Sequence, residues 1–273
     1  MQMKIFKDKI AFSAAVFILI IILASILAPL ISPYDPLHID LDSLRMPPSI
    51  QHPLGTDNKG RDVLSRIIYG ARISLFVSIL ATIVSLTIGL FLGLVSGYVG
   101  GRVDSIITML IDIVMAFPSL LLAIGISAVL PPGLYTIIIA LGVVGWASFA
   151  RLMRGTVLTI RGLPYIEAAK ALGCSGYRIV LRHILPNAIQ IAIVVSSLRI
   201  GGFILAEASL SFLGLGAQPP TPTWGAMIST GRSYILSAPW MVLAPGLAIA
   251  ITTVSFNVLG DHLRDALDPN MRV

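Results

Sequence analysis

The sequence predicts an all-α protein that crosses a membrane six times, with both termini on the cytoplasmic side. Three observations predict it. The 273 residues are 56% hydrophobic and only 12% charged, with a mean hydropathy of +0.92, far more apolar than a water-soluble domain. The apolar residues gather into stretches near the ~20 that a helix rising about 1.5 Å per residue needs to cross about 30 Å of hydrocarbon. The lysines and arginines are also shared unevenly between alternate loops.

The first run, 10–31, follows Lys4, Lys7 and Lys9. A secretory signal peptide opens in the same way, but this run would be about 33 Å long as a helix and further spans follow it. It is therefore read as an uncleaved first transmembrane helix. From Ser32 to about Tyr69 the chain is an outer segment that holds Pro33, Pro36, Pro47, Pro48 and Pro53 and turns helical in character toward Ile67. The runs 72–98, 103–130, 134–152, 187–210 and 239–260 complete the six. Gly89, Gly93 and Gly97 fall four apart in the second, which permits close helix packing within the chain or against another subunit. Pro118 and Pro245 lie inside spans as possible kinks, or as prolines tolerated in lipid. The chain divides into 1–71, the first helix and outer loop, and 72–273, a five-span core with a cytoplasmic segment at about 155–186.

Lysine and arginine in loops stay on the cytoplasmic side. With the N-terminus inside, the inner positions hold Lys4, Lys7, Lys9, Arg102, Arg151, Arg154, Arg161, Lys170, Arg178, Arg182, Arg264 and Arg272. The outer positions hold Arg45, Lys59, Arg61, Arg66, Arg72 and Arg232, interleaved with acids. Twelve against six supports both termini inside. The net charge of +6 is thus mostly a topology signal, with no nucleic-acid patch.

The cytoplasmic segment is the most informative. From Pro164 it reads PYIEAAKALGCSGYRIVLRHILPNAI. Pro164 suits a first helical turn, Glu167 lies near the positive helix end, and Gly173 can end the helix. A hairpin of two short helices divided at Gly173 to Gly176 is expected. Small Ala168 and Ala169 permit close approach, and Ile166, Leu172, Ile179 and Leu181 supply apolar surface. The residues alone leave two readings, a hairpin lying on the membrane surface or one docked on a partner.

Ionisable residues inside spans are costly and so functional candidates, and three stand out. Asp112 lies about 13 Å from the cytoplasmic end of the third span and Arg199 about 18 Å into the fifth, so they are expected partners if those helices touch. Glu207 lies about 12 Å beyond Arg199, near the outer surface. Either Arg199 and Glu207 face a central pathway and favour solutes with separated charges, or an ion pair fixes helix packing.

On the outer side, LGTDNKGRD contains Gly55, Thr56, Asp57, Gly60, Arg61 and Asp62. It reads as a turn whose aspartates cap helices; the oxygen-ligand spacing of an EF-hand is absent. Pro219, Pro220 and Pro222 with Trp224 read as a rigid outer loop anchored by an interfacial aromatic, or as a surface that receives another protein. The single cysteine, Cys174, cannot form an internal disulfide. No GxxxxGK[ST], HExxH or GxSxG occurs, which argues against an ATPase or an intramembrane hydrolase. A channel would also fit six spans with glycines, but would not explain the cytoplasmic hairpin.

Glu167, Ala168 and Ala169, then Gly173, then Ile184, Leu185 and Pro186, resemble the EAA loop of ATP-binding cassette importer permeases. LGTDNKGRD with the following VLSRIIYGARISL, SFLGLGAQPPTPTWGAMI at 211–228 and LGDHLRDALDP at 259–269 are similar to dipeptide, oligopeptide and nickel permeases, C-type subunits above all. The resemblance implies a non-enzymatic transport subunit in a bacterial or archaeal cytoplasmic membrane. Its partners would be membrane lipid, a second, B-type permease, two cytoplasmic ATPase subunits that use ATP and magnesium, and an external solute-binding protein. The chain itself would bind no cofactor and no metal. Glu167 would make the polar contact to an ATPase, Ala168 and Ala169 the tight fit, Gly173 the turn, and Leu185 and Pro186 the close of the motif. Di- and oligopeptides are the expected cargo and nickel or its chelates the alternative; no span holds a histidine or cysteine ligand.

Overall fold

The computed structural model describes residues 8–267; Lys4, Lys7, Pro269 and Arg272 lie outside the described residues. The α-helices are α1 (Lys9–Ile26), α2 (Ala28–Ile31), α3 (Val63–Val99), α4 (Gly101–Ala116), α5 (Ser119–Val129), α6 (Leu134–Arg161), α7 (Pro164–Ala171), α8 (Gly176–Ile179), α9 (Leu185–Phe212), α10 (Trp224–Gly231) and α11 (Trp240–Leu267). The described residues form no named strand.

The centre is the α3–α6 pair, and the glycine stripe makes it. A Cβ added at Gly89, Gly93 or Gly97 would lie 2.4, 2.5 and 2.7 Å from the Cβ atoms of Phe149, Met153 and Val157. Both series ascend together, so α3 and α6 run parallel, and the stripe packs within the chain rather than against another subunit. At their far ends the Arg161 guanidinium donates to the Tyr98 carbonyl (3.1 Å).

That parallel packing decides the number of crossings. The end of α3 and the end of α6 share one side, so Leu134, where α6 begins, lies on the side of Val63. The chain from Gly101 to Gly133 must then traverse the whole thickness. It does so as a broken span: α4 and α5 meet at 88°. Phe117 is extended (φ −90°, ψ 140°), as the residue before a proline tends to be, and Pro118 starts the new direction. The expected span 103–130 is thus two helices, broken at Pro118, one of the two prolines expected as possible kinks. Pro245, by contrast, sits inside a continuous α11.

The other crossings follow from tertiary contacts. Trp240, at the start of α11, donates from its indole N–H to the Thr56 carbonyl (3.0 Å), on the side where α3 starts. His262, near its end, lies 3.3 Å from Asp8 at the start of α1. Gly201 faces Asn257 and Gly260 faces Leu198, so α9 runs antiparallel to α11. Five long helices and the bent pair therefore make six crossings, with Asp8 and the end of α11 on one side. The lysine and arginine distribution marks that side as cytoplasmic.

The helices differ from the apolar runs at their ends. Helix α3 begins at Val63, not 72, and its 37 residues make about 55 Å, more than the hydrocarbon requires. Its first turns stand in the outer segment, and the 71/72 division falls inside it. Helix α1 packs into a cluster with α3, α9, α10 and α11 that includes Ile18, Leu75, Ile204, Trp224 and Phe256. Helix α6 continues to Arg161, so the cytoplasmic segment begins near Gly162 rather than at 155.

Candidate functional site: a cytoplasmic hairpin and an arginine-lined groove

The hairpin is built as its residues dictate. Pro164 occupies the first turn of α7, with Glu167 beside it. The helix ends in a Schellman motif: Gly173 N–H donates to the Lys170 carbonyl (2.9 Å) and Cys174 N–H to that of Ala169 (3.0 Å). Gly173 takes φ +80°, the left-handed conformation this end requires. Ile166, Ala169, Ile179 and Ile184 form a core with Val157 and Ile160 of α6. Two expectations are therefore corrected. Ile166 and Ile179 are interior, not outer surface, because they face α6, and Ala169 joins them while Glu167 and Ala168 face outward. The second arm is not separate either: α8 passes through a π-helical turn, Val180–Ile184, into α9. Leu185 N–H donates to the Val180 carbonyl there, and Pro186 follows in the first turn of α9. Leu172 and Tyr177 remain 85% and 77% exposed.

Behind the hairpin two cavities, about 690 and 430 Å³, open between α4, α5, α6, α9 and α11. Met115, Ser148 and Arg199 line both, so Arg199 stands where they meet. The expected Asp112–Arg199 pair is absent: Asp112 pairs with Arg151. Ile107 and Ile111 of α4 pack on Ala147 and Ala150 of α6, which turns Asp112 toward the neighbouring Arg151. A second rung lies nearer the cytoplasm, where Arg154 Nε and Nη2 donate to Asp104 at 2.5 and 2.7 Å. Ser96 of α3 donates to the same carboxylate (2.5 Å). Sequence reasoning passed over this rung, although Asp104 and Asp112, eight apart, and Arg151 and Arg154, three apart, each share a helix face.

Glu207 is not on the groove. It is 0% exposed, and one carboxylate oxygen accepts from Ser211 (2.7 Å). The other oxygen has no hydrogen-bond partner among the described residues. Ile204 and Ala208, which flank it on α9, belong to the core together with Trp224. Trp224 is itself fully buried, donating to the Ile67 carbonyl (3.0 Å), so it anchors from inside rather than at an interface.

The outer motif is a clasp. Asp57 accepts from Lys59 N–H and Arg61 N–H and pairs with Arg61 Nε at 2.7 Å. Asp62 caps α3 by accepting from Ser65 N–H (2.8 Å) and holds His52 Nδ1 at 2.9 Å. Thr56 donates to the Ser43 carbonyl and accepts from Met46 N–H. Gly55 and Gly60 have φ +75° and +73°, and a Cβ on Gly60 would meet the Asp40 carbonyl oxygen at 1.6 Å. At the loop surface, the Ser43 hydroxyl and then the Asp42 backbone N–H hold the Asp40 carboxyl below its ordinary range.

Six crossings, a cytoplasmic hairpin and a groove between the spans define a multi-pass membrane protein of the transport type that the following comparisons identify. Residues 85–273 match the family described as binding-protein-dependent transport system inner membrane component. Residues 3–48 match the N-terminal transmembrane domain of oligopeptide transport permease C. The chain belongs to the binding-protein-dependent transport system inner membrane component family, as a C-type permease subunit of an ATP-binding cassette importer. It is 46% identical to the glutathione transport system permease protein GsiD of Shigella flexneri serotype 5b (strain 8401), over 97% of this chain and 88% of that protein. It is 45% identical to the protein of that name from Escherichia coli O157:H7, over the same shares. Among solved structures it is similar in fold to the MetNI methionine ABC transporter in inward-facing conformations. That match has a TM-score of 0.62 at 18% identity and covers 75% of this chain and 97% of that one. An amino acid ABC transporter with histidines matches with a TM-score of 0.59 at 17% identity, over 75% and 95%.

Proposed function

We propose that this chain is the C-type permease of a peptide importer, working beside a B-type permease, two ATPase subunits and an external solute-binding protein in a bacterial or archaeal cytoplasmic membrane. One observation carries the reading: the hairpin is continuous with α9, the helix that bears Arg199. Glu167 and Ala168 face outward on α7, and Leu172 and Tyr177 offer exposed apolar surface beside them. An ATPase that grips this face through Glu167 moves Ile166 and Ile179 against Val157 and Ile160, and so moves α6 and α9 together. Tilting of those helices opens the groove to one side of the membrane and closes it to the other. Gly173 supplies the turn, and Leu185 and Pro186 set the joint between hairpin and span. The ATPases supply ATP and magnesium chemistry; this chain converts their motion into a change of access.

Peptides are the preferred cargo because the groove combines apolar walls with guanidinium groups, which suit side chains and carboxylates. The glutathione permeases named above agree with that chemistry. The test is ATP-dependent uptake into vesicles that hold the complete importer, comparing labelled peptides with nickel and its chelates, with Glu167→Lys beside wild type. Peptide uptake that falls at least tenfold in the variant supports both the cargo and the coupling role. Nickel uptake alone would replace the cargo, and flux indifferent to ATP and to Glu167 would remove the importer mechanism.

A further inference from the structure

The 690 Å³ cavity has an uneven charge balance. Arg151, Arg199 and Arg264, from three different helices, line it, and no aspartate or glutamate does. Arg151 is already neutralised by Asp112. Arg199 and Arg264 have no ion-pair partner among the described residues, although the other walls, such as Ile191, Val194 and Leu198, are mostly apolar. An uncompensated guanidinium at the depth of Arg199 is costly and attracts any anion that reaches it, while Arg264 stands at the cytoplasmic end of the cavity.

We infer that the inner part of this groove is a carboxylate-binding subsite that favours net-anionic peptides, with Arg199 and Arg264 as its two anion contacts. The inference rests on the peptide reading above and narrows it. Register gives the spacing. Gly260 of α11 lies against Leu198, the residue before Arg199. Arg264 is four residues further toward the cytoplasm and Arg199 one residue further outward, so the two lie about 7.5 Å apart along the axis. An extended peptide advances about 3.3 Å per residue, so two carboxylates about two residues apart match that interval. Gln190 and Ser148, on the same walls, can meet peptide amide groups. A carboxylate would contact Arg199 where the two cavities join, then Arg264 on the way inward, which gives an anionic peptide successive partners that a neutral or cationic one lacks.

The experiment measures ATP-dependent uptake by the complete reconstituted importer of three size-matched tripeptides that differ only in net charge. The readout is the ratio of anionic to neutral uptake, so it is insensitive to the amount of assembled importer. Wild type should show a ratio above one and the cationic peptide the lowest uptake. Arg199→Gln should lower the ratio about tenfold, the size of one charge-assisted hydrogen bond. Arg199→Lys should retain most of it, and Arg264→Gln should lower it about threefold, giving a second reading if the Arg199 variants fail to assemble. A wild-type ratio of one with peptides still carried would overturn the inference and leave peptide import standing. A ratio unchanged in both glutamine variants, with uptake of every peptide reduced alike, would mean that the arginines pair with a neighbouring subunit and would also overturn it. Wild type that carries no peptide of any charge would overturn the peptide reading itself.

Discussion

The outer clasp and the cytoplasmic hairpin are both short excursions between spans, yet they are held in opposite ways. In the clasp, buried Asp57, Arg61, Asp62 and Arg66 bind one another and the backbone, and Arg66 reaches the Pro36 carbonyl (2.9 Å). In the hairpin, an apolar core and a Schellman turn do the work, and large apolar side chains stay outside. The clasp is held by ion pairs and backbone hydrogen bonds, although the buried Asn58 Oδ1 is left without a hydrogen-bond partner among the described residues. Both excursions leave large apolar side chains in water, Leu41 and Ile50 outside and Leu172 and Tyr177 on the hairpin, so the difference lies in what holds each together.

The contrast can be broken by mutation, and the largest effect is expected in the clasp. Asp57→Ala removes the counter-ion of buried Arg61 and should destabilise the purified protein by about 3–5 kcal/mol, read from thermal unfolding in detergent. A loss under about 1 kcal/mol would show that the clasp is no more rigid than an exposed loop. Ile166→Ala empties part of the hairpin core and should cost about 3 kcal/mol in the same assay, since Ile166 is fully buried. Gly173→Ala should cost about 1–2 kcal/mol, because only its left-handed conformation resists a side chain and nothing lies within 4 Å of the added carbon. The corresponding Gly60→Ala meets a backbone oxygen as well, so it should melt lower than Gly173→Ala; the reverse order would undo the comparison. Leu172→Ser should change stability by less than about 0.5 kcal/mol. If the hairpin docks on an ATPase, the same variant weakens co-purification of the ATPase subunits.

Much of this was legible in the sequence, for identifiable reasons. Pro164, Glu167 and Gly173 report a helix start and end because capping depends on residues close in the chain. The hairpin arms and the fifth apolar run were visible as separate segments, but not the π-helical turn that joins them, because it depends on backbone registration through Val180 to Ile184. Trp224 looked interfacial because aromatic residues gather at membrane boundaries. Only packing against α3 and α9 shows that it is buried.

By itself the sequence determined the class of fold, the number of crossings and the cytoplasmic side, since helix length in hydrocarbon and the placement of lysine and arginine are properties of the chain alone. It also determined the hairpin, through local spacing. Tertiary structure decided which charges meet. Depth along a helix places Asp112 and Arg199 at similar levels, but a pair also needs two helix faces turned toward each other. Packing of Ile111 on Ala147 and Ala150 gives Asp112 to Arg151, which leaves Arg199 free for the groove and Glu207 closed inside the bundle.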